Sequence, residues 1–346
     1  MYAATGTEGT PDGGARIVTD LAALAGTGEY AVTIGRFDGV HLGHRHLIGL
    51  TTASARRQGL RGLAITFEPH PEQVLRPDTT RARLTPAADK RALLATSGVD
   101  AVAVLPFTLE FARWTPEEFV DRLVATARPR ELWIGEDFAL GHRRAGTPER
   151  LAELGRERGF TVHPVPRIGL PGPEGDEMIS ATNIRKHIAA GNVARAAQLL
   201  GRPYAFTGTV IHGAKRGRTL GYPTANLVPP AEVVMPPNGI YATLVDVPGV
   251  VERWPAMTSI GVRPVFDNGA RLVEAHLLDW SGDLYGRPLA LHFLEWLRAE
   301  EKFPSVEALV AQMARDGDDT RAVVEGRRAH AAADARAGAR SNAESG

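Results

Sequence analysis

The chain of 346 residues contains no cysteine, which excludes disulfide bonds, a thiolate nucleophile and cysteine-ligated zinc. Aromatic residues make up only 6% of the chain, and its formal net charge at pH 7 is zero. Because no basic patch is interleaved with aromatic residues, we expect no nucleic-acid partner. No apolar run reaches the length of a membrane span, and the N-terminus lacks the basic-then-apolar order of a signal peptide. We therefore expect a cytoplasmic enzyme that acts on small molecules and has no membrane partner.

Apolar, strand-like runs alternate with helical stretches in the first half of the chain. The runs are YAVTIGRF, GLAITFEP, DAVAVLPF and ELWIGEDF. Strands that are apolar almost throughout, with helices between them, predict a parallel sheet that is covered on both faces. We assign residues 15–186 to one Rossmann-like, doubly wound α/β domain, in which ligands bind at the carboxyl ends of the strands.

The second half of the chain has a different pattern. After two short helical pieces at 187–202, strand-like runs are separated by turn signals such as PPNG and WSGD. This pattern predicts an antiparallel β-barrel domain with a closing helix over residues 203–326. Residues 1–14 are rich in Gly and Thr, residues 327–346 are rich in Ala and Arg, and we expect both segments to be disordered or frayed.

Three histidines stand within six residues in the stretch RFDGVHLGHRHLI, directly after an apolar run. His41 and His44 lie at the start of a predicted helix, beside free backbone N–H groups and the positive end of the helix dipole. Such a position attracts phosphate, and two imidazoles there would stabilise the charge on an α-phosphate during nucleotidyl transfer. Gly43 removes a side chain where a nucleotide needs close approach. A metal site and ordinary surface histidines are the alternatives.

The stretch FDGVHLGH resembles the HxGH motif of the nucleotidyltransferase superfamily. It is similar to the version found in bacterial bifunctional riboflavin kinase/FAD synthetases. This resemblance implies that His41 and His44 are catalytic. It also implies that Gly35, Phe37 and Gly43 contact the nucleotide.

Two later segments follow in the order typical of that family. TFEPHP contains Pro69 and His70, and GEDFALGH contains Asp137. The resemblance implies that these three residues lie near the flavin. Many relatives have an Arg-Phe pair where this chain has Ala139 and Leu140, so the side-chain contacts at that point differ.

The segment ISATNIR resembles the second nucleotidyltransferase signature of the family. Ser180 and Thr182 would donate hydrogen bonds to phosphates at a helix N-terminus, and Arg185 would add catalytic charge at the β- and γ-phosphates. Helix capping is the alternative for Ser180 and Thr182.

The glycine-rich stretch GTVIHGAKRGRTLGYPTANL lacks the Gly-Lys-Ser/Thr order of a P-loop. It resembles instead the riboflavin kinase signature, which ends in Pro-Thr-Ala-Asn. Gly213 and Gly217 would let backbone amides approach a triphosphate. Lys215 and Arg218 would supply positive charge to the same phosphates. A basic hairpin loop without a ligand is the alternative.

Thr224 and Asn226 alternate along an extended segment, so they face one side together, and their oxygens suit Mg²⁺ bridging ATP phosphates. A kinase that phosphorylates a primary alcohol also needs a carboxylate to accept the hydroxyl proton. By resemblance Glu274, in the strand-like run RLVEAHLLDW, is this base. A charge on the solvent face of a strand is the alternative. Val265 stands where relatives often carry Thr.

The resemblance covers residues 28–326 and implies a bifunctional enzyme. The barrel domain would phosphorylate riboflavin to FMN, and the α/β domain would adenylylate FMN to FAD with release of pyrophosphate. ATP is the implied co-substrate and Mg²⁺ the implied cofactor. The alternatives are an enzyme that retains one of the two activities and a non-catalytic sensor of flavin or nucleotide. Whether copies of the chain self-associate is left open.

Overall fold

The computed structural model of the chain describes residues 14–79, 81–172, 175–213, 221–262 and 271–344. By its internal packing the chain divides into two compact units, residues 1–183 and 184–346. None of the helices in the described ranges is both long enough and apolar enough to cross a membrane.

The first unit alternates strands and helices. Its strands are β1 (Arg16–Val18), β2 (Tyr30–Ile34), β3 (Arg61–Glu68), β4 (Ala101–Pro106), β5 (Pro129–Gly135), β6 (Thr161–Val165), β7 (Gly169–Gly172) and β8 (Gly175–Met178). Its α-helices are α1 (Leu42–Gln58), α2 (Pro71–Leu75), α3 (Ala87–Ala95), α4 (Pro116–Ala127) and α5 (Pro148–Arg158), and α6 (Ala181–Ala189) begins in it. Short 3₁₀ helices occupy Leu21–Leu24, Asp38–Val40, Pro77–Thr79, Phe111–Arg113 and His142–Arg144.

Six strands of this unit form one parallel sheet in the order β1-β4-β3-β2-β5-β6. Every residue of β2 is buried, which requires cover on both faces of the sheet. Two apolar clusters provide that cover: Val32, Ile34 and Leu63 belong to one, and Ala64 and Val102 to the other. The predicted doubly wound α/β sheet is therefore confirmed. Its strand order reverses between β2 and β5, the point at which such sheets bind ligands.

The second unit is built around a barrel. Its strands are β9 (Tyr204–Ile211), β10 (Ala225–Val228), β11 (Gly239–Val247), β12 (Val251–Val262), β13 (Arg271–Leu277) and β14 (Pro288–Arg298). Its helices are α7 (Val193–Leu200) and α8 (Val306–Glu344).

The six strands of the second unit close into an antiparallel barrel in the order β10-β13-β12-β11-β14-β9. Side chains alternate between the interior and the outer face, as in β9, where Tyr204, Phe206 and Val210 are buried and Thr209 is exposed. The predicted barrel with a closing helix is therefore confirmed.

The C-terminal end differs from the sequence-based expectation. Helix α8 runs on to Glu344, through most of the segment 327–346 that we expected to be disordered or frayed. The guanidinium of Arg298 on β14 donates two hydrogen bonds, of 2.9 and 2.7 Å, to the buried carboxylate of Asp316. This ion pair attaches the first half of the helix to the barrel. Ala and Arg are among the best helix formers, so the backbone continues helical without an apolar stripe. The N-terminal residues 1–13 lie outside the described ranges.

Candidate active sites

The segment between β2 and α1 carries the histidines to the carboxyl end of the sheet, beside the reversal of strand order. A 3₁₀ turn at Asp38–Val40 redirects the chain into α1, and it places Phe37 and Val40 in the left-handed region with φ of 50° and 39°. Such backbone is unfavourable for non-glycine residues and is found preferentially at functional sites.

His41 is the N-cap of α1. Its Nδ1 accepts a hydrogen bond of 3.3 Å from the backbone N–H of His44. An accepting Nδ1 carries no proton, so the neutral His41 ring holds its proton on Nε2. The local fold of the HLGH stretch therefore determines the tautomer of this residue.

The His44 ring stacks on His41, with ring centroids 3.6 Å apart and planes inclined by 17°. The Nδ1 atom of His44 is buried and has no hydrogen-bond partner among the described residues. A proton on that atom would be an unpaired buried donor, so the neutral ring holds its proton on Nε2 as well. The helix start thus presents two N–H donors side by side, a suitable arrangement for an anionic phosphate oxygen.

Burial is the main cause that lowers the pKa of His44 well below its ordinary value, and electrostatic interactions with His41, Arg36 and Lys90 lower it further. The side chain is only partly accessible, because His41 covers one face and Phe37 meets the ring at its edge, 5.2 Å between centroids. His44 is consequently a neutral donor at physiological pH.

Gly35, Phe37 and Gly43, which were predicted to contact the nucleotide, differ in their packing. Phe37 is completely buried, and a Cβ at Gly35 would lie 2.9 Å from its ring, so these two residues support His44 from behind. A Cβ at Gly43 would lie 3.3 Å from the His41 ring and 3.6 Å from the carbonyl oxygen of Ile179. Gly43 therefore lets the start of α1 pack against the residue that precedes Ser180.

The start of α6 brings the second signature to the same place. Ser180 caps this helix, since its Oγ accepts a hydrogen bond of 3.2 Å from the backbone N–H of Asn183. Thr182 is exposed on the first turn, and Arg185 is half-buried in the next turn. The contact between Gly43 and Ile179 places the beginnings of two helices next to each other, and both offer backbone N–H groups.

The predicted flavin-site residues lie at two turns. His70 is buried and caps α2 by accepting a hydrogen bond of 3.2 Å on Nδ1 from the backbone N–H of Glu72. Pro69, which precedes it, follows a cis peptide bond. Asp137 is exposed just beyond the end of β5, where its carboxylate pairs with Arg167.

A buried charge cluster beside these turns was not found by sequence reasoning. Lys90 donates a hydrogen bond of 2.9 Å to the carbonyl oxygen of Phe67, and its Nζ lies 3.2 Å from Oε2 of Glu68. Arg83 donates to Glu68 at 2.5 Å and to Gln73 at 2.6 Å. Burial alone would raise the pKa of Glu68, but Arg83 and Lys90 outweigh it and lower that pKa below its ordinary value. The carboxylate is therefore charged.

Asp38 joins this cluster to the histidine loop. Its carboxylate accepts hydrogen bonds from the backbone N–H groups of Leu84, at 3.0 and 3.2 Å, and Thr85, at 3.3 Å. Three segments that are separate in sequence, 36–41, 67–73 and 83–90, are thereby held as one wall. The only sequence signal was a lysine at an apolar position of α3.

Aromatic rings collect at the carboxyl ends of β3 and β4. The ring centroid of Phe111 lies 5.7 Å from that of Phe67, 5.6 Å from that of Phe107 and 5.0 Å from that of Trp114. Phe107, Phe111 and Trp114 are half-buried, so the cluster reaches the surface. An apolar cluster that reaches the surface in this way suits an aromatic ligand. Only the fold brings Phe67 of β3 against Phe111, so no motif indicated this contact.

On the barrel, strand register brings two predicted residues together. Asn226 of β10 lies directly opposite Glu274 of β13, which in turn lies opposite Ser259 of β12. Their neighbours Ala225 and Ala275 form the next pair and are buried in the interior, so Asn226 and Glu274 share the outer face. The residues proposed for metal binding and for proton transfer are therefore adjacent.

Gly213 covers the Asn226 side chain. A Cβ at Gly213 would lie only 2.4 Å from Nδ2 of Asn226, so no other residue fits there without displacing the amide. Asn226 is 4% exposed, its Nδ2 donates to the carbonyl oxygen of Thr224 at 3.3 Å, and its Oδ1 is buried with no hydrogen-bond partner in the described ranges. Lys215, Gly217, Arg218 and Val265 lie outside the described residues.

Comparison with known proteins gives concordant matches for both units. A family model described as FAD synthetase matches residues 25–183, and one described as riboflavin kinase matches residues 200–324. The bifunctional riboflavin kinase/FMN adenylyltransferase of Escherichia coli strain K12 is 40% identical over 287 residues, which is 82% of this chain and 90% of that protein. The protein of the same name from Listeria monocytogenes serovar 1/2a is 38% identical over 293 residues, 84% and 91% of the two chains.

A solved structure has a similar fold over most of the chain. It is the crystal structure of a macrolide-efflux protein from Streptococcus pneumoniae, with a TM-score of 0.78 and 31% sequence identity. The match covers 88% of this chain and 98% of that one.

Proposed function

We propose that this chain, which belongs to the bifunctional riboflavin kinase/FMN adenylyltransferase family, makes FMN from riboflavin in its barrel and FAD from FMN in its α/β unit. Both reactions consume ATP. The residues assigned to each reaction follow from the groups that the two sites present.

In the kinase reaction, the oxygen of the ribityl 5′-hydroxyl attacks the γ-phosphorus of ATP, and ADP leaves. Glu274 accepts the proton that this hydroxyl loses. The Oδ1 atom of Asn226, which is buried and has no hydrogen-bond partner among the described residues, and the oxygens of Thr224 are hard ligands that fit Mg²⁺. When bound there with ATP, Mg²⁺ would neutralise charge on the phosphates. Lys215, Arg218 and the amides at Gly213 and Gly217 would hold the triphosphate.

In the adenylyltransferase reaction, a phosphate oxygen of FMN attacks the α-phosphorus of ATP, and pyrophosphate leaves. No strong base is needed, because the attacking group is already an anion. The Nε2–H groups of His41 and His44 stabilise the charge that builds on the α-phosphate oxygens. Thr182 and the N-terminus of α6 assist at the phosphates, and Arg185 adds charge at the β- and γ-phosphates.

The flavin ring of FMN would pack on the aromatic cluster of Phe107, Phe111 and Trp114. Pro69, His70 and Asp137 would surround it. The Ala139-Leu140 pair offers only apolar contacts in place of the charged side chain of many relatives. At this point of the site, flavin binding therefore depends on ring stacking and apolar contact.

The observation that supports the proposal most strongly is the pairing of residues within each unit: the imidazoles of His41 and His44 stack in one, and Glu274 lies opposite Asn226 in the strand register of the other. The test incubates purified protein with ATP, Mg²⁺ and riboflavin, and in parallel with FMN in place of riboflavin. Chromatography follows FMN and FAD over time. We expect FMN first and FAD after it in the first assay, and FAD directly in the second. Failure of one assay alone would refute the activity of the corresponding unit.

A further inference from the structure

A buried histidine lies beside the proposed kinase base. His276 follows Glu274 by two residues in β13, so its side chain points to the same outer face of the barrel. It is nevertheless only 8% exposed, and its Nδ1 lies 2.7 Å from the carbonyl oxygen of Pro223. A carbonyl oxygen can only accept, so Nδ1 carries the proton and donates this hydrogen bond.

The hydrogen bond holds a segment that the strand ladder does not reach. Pairing between β10 and β13 begins at Ala225, one residue after Thr224. Pro223 has no backbone N–H to offer a neighbouring strand. The His276 side chain therefore extends the attachment of β10 to β13 in the N-terminal direction. The ring of Tyr222 also contacts His276, with centroids 5.1 Å apart.

We propose that His276 is a positioning residue of the kinase site. By fixing the Pro223 carbonyl, it sets the direction of the Thr224 side chain relative to Asn226. The inference rests on the proposed function of the barrel, in which Thr224 and Asn226 hold Mg²⁺ with ATP. Because the His276 side chain is buried, it acts through the backbone of Pro223 and does not contact the reacting atoms.

Three substitutions separate this role from simple packing. In His276→Asn, the amide nitrogen takes the place of Nδ1 and can donate to Pro223. His276→Gln puts its amide nitrogen at the place of Nε2 instead, and His276→Leu has no donor. We expect the Asn variant to keep the KM for Mg²⁺-ATP within about twofold, and the Gln and Leu variants to raise it about tenfold, the loss of one hydrogen bond, with a smaller change in kcat.

The measurement is FMN formation from riboflavin at varied ATP in the full chain, with thermal unfolding of each variant as the check on folding. Equal KM values in all four proteins, or an Asn variant as impaired as the Gln variant, would overturn the inference while leaving the proposed kinase function intact. Wild-type protein that forms no FMN would refute the kinase function, and the positioning role with it.

Discussion

Among the described residues, the two candidate sites offer different kinds of group to the same co-substrate. The α/β unit presents N–H donors, from His41, His44 and the starts of two helices, whereas the barrel presents the oxygens of Asn226 and Glu274. Donors suit a reaction between two phosphates, in which only negative charge has to be stabilised. Oxygens suit a reaction in which an alcohol must lose a proton and a cation must be held.

The sites also differ in how the chain builds them. The histidine site comes largely from one local segment, in which a helix cap orients both rings. The barrel site exists only because two strands distant in sequence pair in one register, and a shift by one residue would turn Asn226 and Glu274 to opposite faces. A substitution in one site should therefore impair its own reaction and leave the reaction of the other site unchanged.

The largest expected effect is on the barrel. Glu274→Gln replaces a proton acceptor by an amide of the same shape, so FMN formation from riboflavin should fall by about 10²- to 10⁴-fold. Adenylylation of supplied FMN should continue at the wild-type rate. Steady-state assays with each flavin measure both effects, and Glu252→Gln, at an exposed position of β12, is the matched control. Kinase activity that survives Glu274→Gln would remove this residue from the mechanism.

The counterpart in the α/β unit is His44→Ala. Removing one preorganised donor should lower FAD formation from FMN by about 10²- to 10³-fold and leave FMN formation unchanged. His46→Ala is the control, since His46 lies exposed on the same helix turn. If His44→Ala silenced both reactions in a folded protein, the assignment of two separate sites would be wrong.

Substitution of one glycine in each site tests how tightly that site is packed. Gly213→Ala brings a Cβ to 2.4 Å from the Asn226 amide, so we expect it to lower FMN formation about tenfold or more. Gly43→Ala brings a Cβ to 3.3 Å from the His41 ring, where a shift of a few tenths of an ångström suffices, and FAD formation should fall only about threefold. Kinetics of both reactions in both variants provide the check, and the reverse order of effects would contradict the packing argument.

The smallest expected effect concerns the titration of His44. Lys90 is one of the charges that lower the pKa of His44, so Lys90→Met should raise that pKa toward its ordinary value. Nuclear magnetic resonance of the imidazole protons across a pH series measures the shift directly. Arg91→Met removes the neighbouring charge, which is not among the groups that lower this pKa, and should leave it unchanged. Equal pKa values in the wild type and Lys90→Met would show that the buried cluster does not act on His44.

Much of the candidate site could be predicted because its motifs are local. The HLGH stretch contains its own helix cap, and Ser180 caps α6 as an isolated reading of that residue suggested. The packing of Gly35 and Phe37 behind His44 could not be predicted, since only the tertiary structure shows it, and their contact with the nucleotide stays a prediction. The predicted contacts of Lys215, Gly217 and Arg218 stay predictions.

The sequence by itself determined the class of each unit and the place of the first site. The patterns that indicated them are short-range: apolar runs with helices between them, turn signals between later runs, and the cap of α1. Such patterns depend on neighbouring residues and not on contacts with distant parts of the chain. The helical conformation at the C-terminal end of α8 also follows from a local property, the high helix propensity of Ala and Arg. We expected disorder there because the segment has no apolar stripe, but helix propensity alone was sufficient. The tertiary structure alone decided the wall of Glu68, Arg83 and Lys90, the packing of Phe111 against Phe67 and the pairing of Asn226 with Glu274. Those contacts join segments distant in sequence, and burial and strand register, which create them, have no counterpart in local periodicity.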